Sequence, residues 1–145
     1  MKIYGFDPGL STGWAEFNGS RLSDFGTILT TKKDMKPLYD WLSNHIPTEI
    51  VVIERYMIRP KGSGGFDHSW NSGDTLQVIG ALKSWARDVQ VVEQNSDIKV
   101  PAHGMIFGTP YKKKKGQHHL DAILHVGYYL IKSKTYKPTE IGGLG

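Results

Sequence analysis

Four β-branched residues in succession, Ile50-Val51-Val52-Ile53, constrain this chain more than any other stretch of it. Side chains alternate across a strand, so an unbroken apolar run puts oily groups on both faces. Such a strand has to lie inside a sheet that is covered above and below, as in parallel sheets flanked by helices. The run stops abruptly at Glu54.

The rest of the pattern fits around that strand. Ile3 to Phe6 reads as a strand halted by the tight turn Asp7-Pro8-Gly9. Gly13 to Phe17 reads as a second strand, Asn18-Gly19 as a hairpin turn, and Arg21 to Leu29 as the returning third strand. Met35, Leu38, Trp41, Leu42 and Ile46 recur at helical spacing, with Asp34 placed to cap the start, Pro37 in the first turn and Pro47 closing the segment. A second helix is expected from Gly73 to Ala86, a short buried strand from Val89 to Val92, and a last helix from about Gln117 to Lys132.

The order β-β-β-α-β-α-β-α predicts an α/β fold: a mixed five-stranded sheet, three antiparallel strands followed by parallel ones, with helices on both faces. Residues 1–145 are expected to form a single domain, since this length supports one substantial core. Residues 55–72 read as a mobile loop, 94–116 as irregular with a basic loop at 111–116, and the tail 138–145 as frayed.

The chain has no cysteine, which excludes disulfides, thiolate metal sites and cysteine nucleophiles. No signal-peptide core or membrane-spanning apolar run is visible, so no membrane partner and a cytoplasmic location are expected. Eighteen Lys and Arg face fourteen Asp and Glu. The surplus is concentrated: between Tyr111 and Lys137 there are seven lysines and one acid, Asp121. A local patch of that kind suits a polyanion, and it also suits simple solubility.

Two carboxylates stand at equivalent places, Asp7 at the end of the first strand and Glu54 at the end of the fourth. Ligands gather outside the carboxyl ends of strands in open α/β sheets, so neighbouring parallel strands would point both into one crevice. Asp121 lies in the first turn or so of the last helix, with His118 three residues before it and His125 four after. Taken singly, Asp7 could be a turn former, Asp121 a helix-surface acid and His118 a cap. Glu93 also ends a strand and competes for a role, though an exposed strand terminus accounts for it. As a set, acids that converge without an intervening positive charge need a cation between them, and oxygen ligands suit magnesium or manganese.

The run Asp7-Pro8-Gly9-Leu10-Ser11-Thr12-Gly13-Trp14-Ala15 resembles the opening motif of the RuvC family of Holliday-junction resolvases. Val51-Val52-Ile53-Glu54 is similar to that family's second catalytic strand end, and His118-His119-Leu120-Asp121-Ala122-Ile123 to its C-terminal acidic helix. The resemblance covers roughly residues 1–132 and implies a ribonuclease-H-like fold, divalent-metal hydrolysis of branched DNA such as four-way junctions, and a homodimer. Carried over position by position, Asp7, Glu54, Asp121 and His118, the last where a fourth acid is usual, are the expected catalytic and metal-binding residues. Asp7 is expected to bridge two Mg²⁺ ions (Mn²⁺ being possible), with Glu54 on one side and Asp121 and His118 on the other. An amphipathic helix expected of the family before the last helix is not visible; Tyr111 and Lys112, Lys113, Lys114 and Lys115 stand there instead. Those lysines, with Arg55, Arg59 and Lys61, are candidate phosphate contacts, while Tyr56, Phe66 and Trp70 could stack on opened bases. Tyr56 and Met57 could equally pack beneath the loop. Two other readings remain: a nuclease of the same fold acting on RNA or hybrid, or a branched-DNA-binding protein without catalysis. By analogy, so compact a chain would suit a phage.

Overall fold

The computed structural model describes residues 1–30, 34–56 and 71–144. A five-stranded sheet runs in the order β3-β2-β1-β4-β5. Its central strand β1 (Lys2–Asp7) pairs antiparallel with β2 (Ser11–Asn18) and parallel with β4 (Ile50–Glu54). The outer strands are β3 (Arg21–Leu29), antiparallel to β2, and β5 (Gln90–Gln94), parallel to β4. The β2–β3 hairpin turns at Gly19, whose φ is +62°.

Alternation along the strands divides the core in two. Tyr4 and Phe6 of β1, with Val51 and Ile53 of β4, bury against α1 (Lys36–Ser43) and α2 (Asn71–Trp85) through Leu38, Val78 and Leu82, with Ala86 just past the end of α2. Ile3, Ile50 and Val52 bury on the opposite face against α4 (His118–Lys132) through Ala122, Ile123, Val126 and Leu130. The β-branched run of β4 thus feeds both cores, as a doubly covered strand requires. Asp34 assists the start of α1 from one residue outside the cap, its carboxylate accepting from the Lys36 amide at 3.0 Å, and Pro37 sits in the first turn.

Two expectations are corrected. The stretch after β5 is not irregular: a short 3₁₀ turn (Ser96–Ile98) leads into α3 (Lys99–Phe107), the helix that was not visible in the sequence. Pro101 falls in its first turn, where the missing N–H has no helical partner to lose, and Gly108, φ +71°, closes it. Buried Ala102 and part-buried Ile106 then hold α3 against the α4 side of the core. Nor is the tail frayed as far as residue 144. Leu22 donates to the Gly142 carbonyl at 2.9 Å, Gly142 donates to Ser20 at 2.9 Å, and Ile141 is buried in the core. One apolar side chain and two backbone bonds to the β3 edge are enough to seat it.

Among the described residues, no helix is long and apolar enough to cross a membrane. Most of the expected loop at 55–72 lies outside the described residues; α2 begins at Asn71.

Candidate active site

The same alternation aims the polar groups. Asp7 continues the β1 face that carries Ile3 and Gly5, and Glu54 the β4 face that carries Ile50 and Val52, so both point toward α4. Phe6 is level with Ile53 on the parallel neighbour, which brings the two strand ends, and hence the two carboxylates, side by side. Glu54 is level with Gln94 on β5, which faces the same way. Glu93 lies one step out of phase and reaches instead to Lys83 of α2, at 2.8 Å.

The turn after Asp7 is locked from within. The buried Thr12 hydroxyl donates to the Gly9 carbonyl at 2.9 Å, and the Gly9 amide returns a longer bond of 3.3 Å to the same oxygen. Gly13 pairs with Asp7 across the antiparallel ladder and lies directly beneath the first residues of α4. A β-carbon there would overlap the His118 carbonyl, so only glycine lets the helix start this close to the strand. His118 Nδ1 consequently stands 3.8 Å from Asp7 Oδ2. One turn on, Asp121 enters the same crevice.

A group the sequence reading missed occupies the middle. Lys99, the first residue of α3, places its ammonium 2.9 Å from Glu54 Oε1 and 3.4 Å from Asp121 Oδ2. Asp121's other oxygen accepts from the Tyr111 hydroxyl at 2.7 Å. Behind Glu54 lies His125, fully buried, with Nδ1 2.9 Å from Gln94 Oε1 and Nε2 3.4 Å from Glu54 Oε1. Among the described residues neither that nitrogen nor Glu54 Oε1 has an aligned hydrogen-bond partner, so the contacts at this oxygen are chiefly electrostatic.

Burial, and then the bond to and charge of Glu54, push the Asp7 carboxyl well above the usual range. Burial acts on Glu54 in the same sense, but contacts from His125, Asp7 and Lys99 together hold it far below its ordinary value. Burial opposes the charge on Lys99, and the surrounding carboxylates overcome it, raising the ammonium's pKa. Tyr111 is raised by burial and by its bond to Asp121. The crevice therefore wants positive charge on the Asp7 side, where two carboxyls crowd together, and already has it between Glu54 and Asp121.

No family model matches this sequence, and no curated protein does. Its architecture is more telling. The chain is similar to Thermus thermophilus RuvC in complex with a Holliday junction substrate, with a TM-score of 0.64 over 94% of this chain and 98% of that one at 15% identity. A second T. thermophilus RuvC structure matches at a TM-score of 0.56 and 14% identity, over 94% of this chain and 99% of that one. The fold is RuvC-like. It has the mixed five-stranded sheet that the element order predicts and the ribonuclease-H-like arrangement that the resemblance implies, and at such identity the likeness speaks for the fold alone.

Within this RuvC-like frame Asp7, Glu54, Asp121 and His118 converge on one crevice, although His118 is 42% exposed and sits at its mouth. Exposed Arg55 and part-buried Tyr56 follow Glu54 directly. Arg59 and Lys61, with Met57, Phe66 and Trp70, lie outside the described residues. Lys112 to Lys115 are all exposed, and Tyr111 ties the start of that segment to Asp121. The expectation that no positive charge intervenes among the acids is overturned by Lys99. No signal near it could have been read while 94–116 passed for irregular chain; the lysine's position depends on α3.

As to a metal, carboxylate oxygens with an imidazole at the rim suit a hard divalent cation. Among the described residues no three His, Asp or Glu side chains already form a coordination shell. The pair that calls for a cation is Asp7 with Glu54, where burial and the neighbouring Glu54 carboxylate oppose the charge on Asp7. One ion fits there. On the Asp121 side the oxygens are engaged by Lys99 and Tyr111.

Proposed function

We propose that this chain is a divalent-cation-dependent endonuclease that cleaves branched DNA, four-way junctions above all. What carries the reading is the meeting of Asp7, Glu54 and Asp121 at the carboxyl ends of parallel strands, beside an exposed run of four lysines. Asp7 and Glu54 would hold Mg²⁺ or Mn²⁺, with His118 at the rim as ligand or proton carrier. When bound, such an ion supplies Lewis-acid chemistry, polarising the phosphodiester and activating water for in-line attack. Lys112 to Lys115 and Arg55 bind phosphates, and Tyr56 stacks on a base opened at the branch. The expected products are nicks bearing 5′ phosphate and 3′ hydroxyl ends. Resolution of a junction needs two nicks, and a homodimer would set two such sites on a substrate of matching twofold symmetry.

The test is a nicking assay on four-way junction, plain duplex and RNA–DNA hybrid, with and without Mg²⁺. Mg²⁺-dependent cutting of the junction, lost in Asp7→Asn while binding persists, is the expected outcome. Preferential cutting of the hybrid would move the substrate to RNA. A second reading draws on Lys99, whose charge partly compensates the acids without any metal: a junction-binding protein that does not cut. Tight junction binding with no nicking in Mg²⁺ or Mn²⁺ would decide for it.

A further inference from the structure

Lys99 is a constituent of the site. It is the first residue of α3, a helix anchored by buried Ala102, and its side chain is 12% exposed. Its ammonium lies between carboxylates on two different elements, Glu54 at the end of β4 and Asp121 on α4. We propose that this ammonium permanently fills the position a second divalent ion would take, so that the centre binds a single ion, between Asp7 and Glu54. The inference rests on the metal-dependent reading above and departs from the two ions expected from the sequence.

Three observations support it. The first is occupancy. Magnesium binds oxygen at about 2.0–2.1 Å and demands near-octahedral geometry. An ammonium 3.4 Å from Asp121 Oδ2, held there by its 2.9 Å contact with Glu54 Oε1, occupies the Asp121 oxygen that a second ion on that side would need. The second is the state of Asp121. With Lys99 on Oδ2 and the Tyr111 hydroxyl 2.7 Å from Oδ1, both of its oxygens have partners, so it acts as the anchor of Lys99. The third is charge. Three carboxylates, one ammonium and one divalent ion sum to zero, whereas a second divalent ion would leave a buried crevice with a surplus of two positive charges.

Among the described residues Asp7 has no lysine or arginine within ion-pair distance. The His118 imidazole stands 3.8 Å from it at the exposed rim, and its other close neighbour is the Glu54 carboxylate. The single ion is therefore drawn to the side away from α3. On this account Lys99 supplies the second positive charge from the protein itself, held in place before substrate arrives.

The experiment counts Mn²⁺ on the full chain by equilibrium dialysis and by electron paramagnetic resonance, which separates an isolated ion from a spin-coupled pair. Wild type should bind one isolated Mn²⁺. Lys99→Met, which keeps the stem and removes the charge, should bind two with a coupled-pair signal. Lys99→Gln, which keeps a polar head for Asp121, is the second variant should methionine fold poorly. Melting temperature gives an independent readout: Mn²⁺ should raise it more in either variant than in wild type, because stabilisation follows the ions bound to the folded state. Two coupled ions on wild type would overturn the inference, as would one ion on both wild type and a folded variant, and either result leaves the nuclease reading intact. Wild type that binds no Mn²⁺ and cuts no junction overturns the functional reading and this inference with it.

Discussion

His118 stands at the mouth of the crevice, 42% exposed, with Nδ1 3.8 Å from Asp7 Oδ2. That distance leaves room for a small adjustment toward an ion or a proton. A positioned acid–base group contributes about 10²–10⁴ in rate, so His118→Ala should slow Mg²⁺-dependent nicking by two or more orders of magnitude. His118→Asp should restore part of it. Single-turnover rates on a four-way junction measure both, and a loss below about threefold, under ~0.7 kcal/mol on the barrier, would leave His118 a rim residue without a part in the chemistry. Glu16, far from the crevice, shows the same physics serving stability. Burial works against its charge, yet hydrogen bonds from Tyr4 and Ser23 and the charge of Lys2 outweigh it and lower its pKa. A carboxylate depressed on folding contributes stability that is fully present above its unfolded value, and that contribution disappears as pH falls through the folded value. Glu16→Gln should thus be less stable than wild type at neutral pH, with the gap closing below the ordinary glutamate value of 4.5. Urea midpoints across that pH range give the answer; a constant gap would mean that packing, and not charge, is what Glu16 supplies.

Among the elements, α4 approaches the β1–β2 ladder where those strands carry almost no side chain. Gly5 lies against Ala122 and Val126, and Gly13 against the backbone of His118 and His119. A carbonyl cannot swing aside as a flexible side chain can, so Gly13→Ala has to move the whole helix start. The expected cost is about 1–3 kcal/mol or more of stability, together with near-complete loss of nicking, because His118 and Asp121 ride on the segment displaced. Thermal melts and nicking rates in parallel check the pair. A stable, active Gly13→Ala would show that α4 can shift without disturbing the site. In α3, by contrast, residues that usually break helices do no harm. Pro101 occupies the first turn, and Gly104 is tolerated in a helix that packs through Ala102 and Ile106.

For the whole molecule, the basic segment is tied to the crevice through the Tyr111–Asp121 hydrogen bond. Replacing Lys112, Lys113, Lys114 and Lys115 with Ser should weaken binding to every DNA shape. The salt dependence should also flatten, by up to about 0.9 in log–log slope for each phosphate no longer neutralised. Tyr56→Ala should instead reduce the preference for junction over duplex, since stacking helps only where bases open. Sedimentation of the free protein and of its junction complex tests the proposed homodimer. A monomer in both, with affinity indifferent to the four lysines, would defeat the symmetric arrangement and the phosphate role together.

What the sequence determined by itself is the sheet and two of its acids. Strand identity follows from local alternation and β-branched runs, and Asp7 and Glu54 inherit their common direction from strand parity and parallel register. Asp121 and His118 were legible because residues three apart on a helix share a face. The tertiary structure alone decided what surrounds those acids. Lys99 meets Glu54 and Asp121 across 45 and 22 residues of chain, and Gln94 reaches His125 across 31. Ile141 finds the core only because β3 offers its edge to the tail. No local period encodes such meetings. They arise when helices dock on a sheet, and docking is set by the shape of both faces at once.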